Sequence, residues 1–231
     1  MPESEPDPPL RTERLGDGVG AFWLDRPHKR NALDAALVEA LIDAFSAEPW
    51  RAVVLGTTDT RAFCGGADLS LADAARARVS LRLYDLYRLM IALPAPIVAA
   101  VQGPAVGGGA QLAIAADLRI GDARAVFRFP GPGHGLAVGA WGLPSLVGRG
   151  RAIDLCLTSR DVDADEALRI GLLDRVVDDA PAAARELAEQ FAGLDAGAVG
   201  RVKRVVRGAA GLDAALAREA AGNASWEGAI P

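Results

Sequence analysis

The chain has 231 residues, 51% of them hydrophobic, with a formal net charge of −5 and a mean hydropathy of +0.17. That length suits one large domain with a substantial core. The acidic balance argues against a surface made for nucleic acid or anionic lipid, and no apolar run reaches the roughly 18 residues of a membrane span.

Residues 1–9 are acidic and Pro-rich and read as a disordered tail, without the basic start and apolar stretch of a signal peptide. Leu15-Gly16-Asp17-Gly18-Val19 reads as a hairpin turn between a short strand and a second strand over 19–24. A polar loop follows over 25–31. Asp34 is placed to cap a helix whose apolar face is Leu37, Val38, Leu41, Ile42 and Phe45. Residues 51–56 form a buried-type strand, and 71–93 a long amphipathic helix with Leu83, Leu86, Tyr87, Met90 and Ile91 inward. A strand over 96–101 runs through a glycine loop into a helix at about 110–116. Short strands are expected at 118–120 and 126–129, then short helices at 141–146, 151–157 and 164–170. A small strand at 175–177 and amphipathic helices at 181–191, 199–206 and 212–221 complete the chain. Strands and helices alternate through the first half, as in stacked ββα turns with a helical tail. The two cysteines, Cys64 and Cys156, match no metal spacing and imply a cytoplasmic setting with reduced thiols.

Two loops carry the chemical signal. Gln102-Gly103-Pro104-Ala105-Val106-Gly107-Gly108-Gly109 leaves a helix N-terminus bare of side chains, so its free N–H groups can approach an anion or a polarised carbonyl. Ala62-Phe63-Cys64-Gly65-Gly66-Ala67-Asp68-Leu69 is a second such loop, and a pair of them suggests an oxyanion hole. The triple-glycine loop also fits a dinucleotide-binding turn, with Asp122 about twenty residues on. Against this, the loop lies mid-chain and no Tyr-x-x-x-Lys is present. No P-loop, HExxH, CxxC or GxSxG occurs. Cys64 has no base apparent beside it and reads as a packing residue. His28 reads as solvated, whereas His134 could line a pocket.

These segments, together with Arg26-Pro27-His28-Lys29-Arg30-Asn31-Ala32-Leu33, Ala116-Asp117-Leu118-Arg119-Ile120, Phe129-Pro130 with Gly135-Leu136, and residues 164–177, resemble the crotonase family of enoyl-CoA hydratases and isomerases over about residues 15–206. The resemblance implies an α/β fold, a crotonase-like spiral of ββα turns over 10–180 with a helical C-terminal region over 181–231. It implies a homo-oligomer, a trimer or hexamer, and a coenzyme A thioester as the ligand, acyl-CoA or enoyl-CoA, with no further cofactor and no metal. By position the oxyanion-hole N–H donors fall on Ala67 and Gly108. Arg61 falls where a basic residue approaches the CoA phosphates, and Lys29, Arg30 and Ala32 line the CoA. Gly65, Asp68, Leu69, Gly107 and Trp141 complete the substrate-binding set. The family commonly continues through a further helix, whereas this sequence ends at Trp226-Glu227-Gly228-Ala229-Ile230-Pro231.

The two glutamates that family hydratases use to place and deprotonate water fall on Gln111 and Gly131. General acid–base groups contribute roughly 10² to 10⁴ each, so their loss implies little or no hydration. The Gln111-Leu112-Ala113 run and Trp141 resemble a subset of the family that binds acyl-CoA without turnover. Two readings therefore stand. One is an acyl-CoA-binding protein of fatty-acid metabolism with an intact oxyanion hole. The other is an active enzyme of the family, a hydratase, isomerase, decarboxylase or thioesterase, that recruits His134, Asp68 or Asp122. Gln111→Glu together with Gly131→Glu is expected to raise hydration if the pocket is otherwise intact.

Overall fold

A computed structural model describes residues 8–47 and 49–230. The tail expected over 1–9 falls mostly outside them; Pro9 already accepts a hydrogen bond from Asp25 N at 2.9 Å. In chain order the elements are β1 (Leu10–Leu15), β2 (Val19–Leu24), α1 (Ala35–Ser46), β3 (Ala52–Thr57), α2 (Asp73–Ala92), β4 (Ile97–Val101), β5 (Pro104–Val106), α3 (Gly108–Ala115), β6 (Leu118–Gly121), β7 (Val126–Arg128), α4 (Leu143–Val147), α5 (Arg149–Thr158), β8 (Val162–Asp163), α6 (Ala164–Ile170), β9 (Arg175–Val176), α7 (Ala180–Ala192), α8 (Ala196–Ala210) and α9 (Leu212–Asn223).

The main sheet runs β1-β2-β3-β4-β6-β9, with β1 antiparallel to β2 and every other neighbour parallel. β2, β3 and β4 are buried along their whole length, because a parallel sheet needs cover on both faces. The two-residue period divides them cleanly. Phe22, Leu24, Val53, Leu55, Ile97 and Ala99 face α1 and α2, while Val19, Ala21, Trp23, Val54, Val98 and Ala100 face α7. Ala180, Ala184 and Ala188 recur every four residues on the inner side of α7, so small side chains let this helix lie close on the sheet.

A second sheet, β5-β7-β8, stands beside the first. Sequence periodicity does not reveal β5 or β8, which have only three and two residues. β5 matters most, since it separates β4 from α3 and pairs in parallel with β7. The triple-glycine segment therefore enters α3 from β5 of the small sheet and not from β4 of the main sheet, as a dinucleotide loop would. The helix also starts earlier than expected, at Gly108 rather than Ala110. Asp34 caps α1 as anticipated, its Oδ1 accepting from Leu37 N at 2.9 Å. Among the described residues no helix is long and apolar enough to cross a membrane.

Arg119 joins the layers. It is 2% exposed; Nε donates to Leu172 O at 2.9 Å, Nη1 to Ala116 O at 2.9 Å, and Nη2 to Asp174 Oδ2 at 2.8 Å. Arg119→Met keeps the apolar stem but strands two carbonyls and a carboxylate. It should cost about 3 kcal/mol of unfolding free energy, read as a lower denaturant midpoint at unchanged slope.

Candidate active site

The site forms where three segments meet the start of α3. Asn31, fully buried and at φ 54°, organises the first segment. Its Oδ1 accepts from Arg26 N at 2.8 Å, and its Nδ2 donates to Thr57 Oγ1 at 2.6 Å and Ala62 O at 3.0 Å. One side chain thus ties the 26–32 loop to the 57–67 loop. The backbone adds Gly65 N to Arg30 O at 2.9 Å and Leu33 N to Gly66 O at 2.7 Å. The 57–67 loop in turn pairs with β5, through Cys64 N to Pro104 O at 3.1 Å and Val106 N to Cys64 O at 2.9 Å.

These pairings bring the two glycine loops together. A Cβ at Gly66, whose φ is +89°, would lie 2.7 Å from Val106 O and 3.6 Å from Gly108 N. A Cβ at Gly109 would strike Cys64 O at 2.3 Å. Only glycine permits both approaches. Ala67 N and Gly108 N donate to no partner among the described residues, and both residues are half-buried. Leu33 and Leu83 methyls and the Tyr87 hydroxyl border Gly108, giving it a largely apolar surround in which a hydrogen bond is strengthened.

Gln111 is 5% exposed. Its Oε1 accepts from Gly139 N at 3.1 Å and Trp141 Nε1 at 2.9 Å, while Nε2 donates to no partner among the described residues. The two donors fix which end of the amide is oxygen, so an NH₂ group stands where a glutamate would present its second oxygen. Gly131 has an ordinary φ of −74°, but a Cβ there would meet Leu136 O at 2.6 Å and Val138 N at 2.8 Å. The backbone has closed over that position, and Gly131→Glu has no room without moving the loop. The expectation that the double glutamate variant raises hydration is corrected accordingly.

Arg61 is exposed, held by Asp59 Oδ2 at 2.5 Å and donating to Pro27 O at 3.1 Å. It therefore lies beside the loop of Lys29, Arg30 and Ala32. Lys29 Nζ donates to Ser70 Oγ at 3.0 Å, Arg30 is exposed at φ 52°, and Ala32 O accepts from Arg26 Nη1. Gly65 and Leu69 are exposed on the same side chain-poor loop, and Gly107 is the half-buried N-cap of α3. Burial opposes the Asp68 charge, yet Ser70, Lys29 and Arg26 outweigh it and hold the carboxyl below its usual range. Asp68 is thus an ion-paired organiser of its loop rather than a free base. Asp122 is engaged with Arg124 Nε at 3.0 Å and does not join these loops. His28 is exposed; His134 is half-buried, and among the described residues its Nδ1 has no hydrogen-bond partner and no bond links it to Ala67, Gly108 or Gln111. Burial pushes the Cys64 thiol up to about 12, in keeping with a packing role.

The expected Trp141 is joined here by two residues that local sequence did not indicate, Tyr87 and Glu219. Trp141, 3% exposed, stacks on Tyr87 at 6.1 Å between ring centroids, and Tyr87 donates to Gly108 O at 2.9 Å. Behind Trp141 lies Glu219 of α9, 6% exposed, accepting from Trp141 N at 2.9 Å and from the Tyr84 hydroxyl at 3.1 Å. Burial drives its carboxyl up to about 7, against the pull of the Trp141, Tyr84, Gly139 and Ala140 donors. Its environment was illegible locally because its partners lie 78 and 135 positions away.

A spiral of parallel ββα turns with two bare amide loops at one helix start defines an α/β protein of the crotonase type. The sequence pattern of the enoyl-CoA hydratase/isomerase family matches residues 14–224. A Mycobacterium leprae protein named probable enoyl-CoA hydratase echA6 is 40% identical over 199 residues, 82% of this chain and 79% of that one. An enoyl-CoA hydratase/isomerase from Xanthobacter autotrophicus Py2 superposes with a TM-score of 0.84 at 30% identity, covering 95% of this chain and 88% of that one. A monofunctional enoyl-CoA isomerase from M. smegmatis gives 0.77 at 30% identity, covering 89% and 94%. The chain belongs to the enoyl-CoA hydratase/isomerase family.

Glu219 makes stability depend on pH in a defined direction. Folding raises its carboxyl from 4.5 to about 7, so the folded state favours the protonated form. Its contribution is complete below about 4.5 and is lost as pH rises through 7. Calorimetric melting of the native protein should fall across pH 5 to 9 by a margin worth on the order of 3 kcal/mol. Glu219→Gln should flatten that interval.

Proposed function

We propose that this protein binds CoA thioesters, with the thioester oxygen received by the Ala67 and Gly108 N–H groups, and that it does not hydrate them at the rate of an ordinary hydratase. The observation that carries this reading is the pair of amides, Ala67 and Gly108, without partners among the described residues, beside a side chain of the wrong chemistry. Two preorganised N–H donors aimed at one oxygen are worth roughly 10² to 10³ each when charge develops there. Hydration needs in addition a group that takes a proton from water. Gln111 offers only donor hydrogens at its free end, and Gly131 carries no side chain. This supports placing the chain with the family members that lack both hydratase glutamates, acting on acyl-CoA or enoyl-CoA in fatty-acid metabolism in the cytoplasm. Arg61, Lys29 and Arg30 lie on one exposed rim, where their charge suits the phosphates of coenzyme A.

The alternative, an active family enzyme using His134, has less support, since among the described residues no hydrogen bond joins that ring to the amides or to Gln111. Isothermal titration with acetyl-, hexanoyl- and palmitoyl-CoA should give saturable binding, weakened by salt. Gly66→Ala forces a methyl against Val106 O and should weaken binding by about tenfold or more while leaving the fold intact. Crotonyl-CoA should be bound and left essentially unhydrated; turnover near that of ordinary hydratases would overturn the non-hydratase reading, and no binding of any thioester would overturn the whole.

Self-association, as a trimer or hexamer, is part of the proposal. α8 leaves Val202, Val205 and Val206 more than 60% exposed and bounds an apolar groove of about 640 Å³ against the core. An apolar face of that kind calls for cover. Light scattering at micromolar concentration should give a mass three or six times 23.9 kDa; a monomer would contradict it.

A further inference from the structure

Half of the Gln111 amide is unused. The residue is 5% exposed, and its Oε1 is occupied by Gly139 N–H at 3.1 Å and Trp141 Nε1–H at 2.9 Å. Nε2 has no hydrogen-bond partner among the described residues, yet it is not sealed in the core. A largely buried NH₂ group without a partner costs free energy, so its open side calls for an acceptor.

The direction of that side follows from the helix and its neighbours. Gln111 is the fourth residue of α3, three positions after Gly108, and helical side chains lean towards the helix start. Trp141, which donates to Gln111, stacks on Tyr87 at 6.1 Å between centroids, and Tyr87 donates to Gly108 O at 2.9 Å. These contacts hold the amide on the Gly108 side of the helix, within about 4.5 Å of axial rise from Gly108. An oxygen received by Ala67 N–H and Gly108 N–H therefore has a further, neutral donor about one turn away.

We propose that Gln111 determines ligand specificity, its NH₂ group receiving an oxygen on the third acyl carbon, and that the preferred ligand is a 3-oxoacyl thioester. The proposal rests on the thioester-binding reading above. That oxygen lies two carbons beyond the thioester carbon, close enough for both oxygens to be held at once. A ketone oxygen only accepts and Nε2 only donates, so each satisfies the other. A 3-hydroxyl also needs an acceptor for its own hydrogen. Oε1 does not serve, because two N–H groups already occupy it, and a buried hydroxyl hydrogen left unpaired is costly. An unsubstituted chain leaves Nε2 itself unpaired. Where a glutamate would take a proton from water, this glutamine reads the oxidation state of the third carbon.

Isothermal titration with hexanoyl-CoA, 3-hydroxyhexanoyl-CoA and 3-oxohexanoyl-CoA tests the ranking at constant chain length. The native protein should bind the 3-oxo thioester about tenfold more tightly than hexanoyl-CoA. The 3-hydroxy thioester should bind no more tightly than hexanoyl-CoA. Gln111→Met removes the donor at similar side-chain length; it should bind hexanoyl-CoA comparably and lose the preference for the ketone. With carbon-13 at the third acyl position, the infrared stretch of the bound ketone should lie at lower frequency on the native protein than on Gln111→Met. Gln111→Glu keeps the acceptor for Gly139 and Trp141 but replaces the NH₂ group by an oxygen. At about pH 8, above the ordinary carboxyl range, it should favour the 3-hydroxy over the 3-oxo thioester. Mere loosening of the fold weakens all three ligands alike and does not reorder them. Binding without preference for the ketone, a preference undiminished in Gln111→Met, or an equal stretch on both proteins overturns the proposal and leaves the binding reading standing. Absence of binding by all three thioesters removes that reading, and this one with it.

Discussion

The approach of two backbone segments closer than any β-carbon allows is the constraint from which the site follows. Cys64 to Ala67 lies against Val106 to Gly109 with no space for a methyl at Gly66 or Gly109. Short parallel bridges through Cys64 and Ala105, and through Leu33 and Ala67, lock that approach. Each bridge consumes the amides on one side of its strand, which is what leaves the alternate amides, Ala67 and then Gly108 at the helix start, without partners. In an apolar setting an unsatisfied N–H costs free energy. The fold leaves both half-open to solvent, and under the function proposed above they receive the thioester oxygen.

A polar cluster set into the core supports the amides from behind. Gln111, Trp141, Glu219, Tyr84 and Asn223 form a continuous chain of hydrogen bonds, and Tyr87 connects it by stacking and by its bond to Gly108 O. Buried networks of this kind are rigid when satisfied, so the position of Gly108 depends on a helix more than a hundred residues downstream. The C-terminal helix is therefore part of the site rather than an appendage to it, whatever other surfaces α8 serves.

Much of this was legible in the sequence. Continuous apolar runs marked β2, β3 and β4, because a strand covered on both faces has no polar side to interrupt it. Asp34 marked the start of α1 through its side-chain cap, and the pair Gly65-Gly66 and the triplet Gly107-Gly108-Gly109 marked close backbone approaches. β5 and β8 escaped because three- and two-residue strands carry no period. Glu219 escaped for a different reason. Ala217-Arg218-Glu219-Ala220 reads as an ordinary solvated helix, and only tertiary packing places that one carboxyl against Tyr84 and Trp141. Gly131 was half-read: its lack of a carboxylate is plain from the letters, while the crowding around it comes from Leu136 and Val138 folding back.

That crowding bears on how such a protein can change over generations. With the 131–138 loop closed over the missing side chain, mutation of one codon to glutamate yields a clash instead of a catalyst, so reversal must begin with neutral changes that reopen the loop. Under the reading proposed here, the path away from hydration behaves as a ratchet. Lineages that have taken it are more readily steered to new tasks of thioester binding than back to hydration.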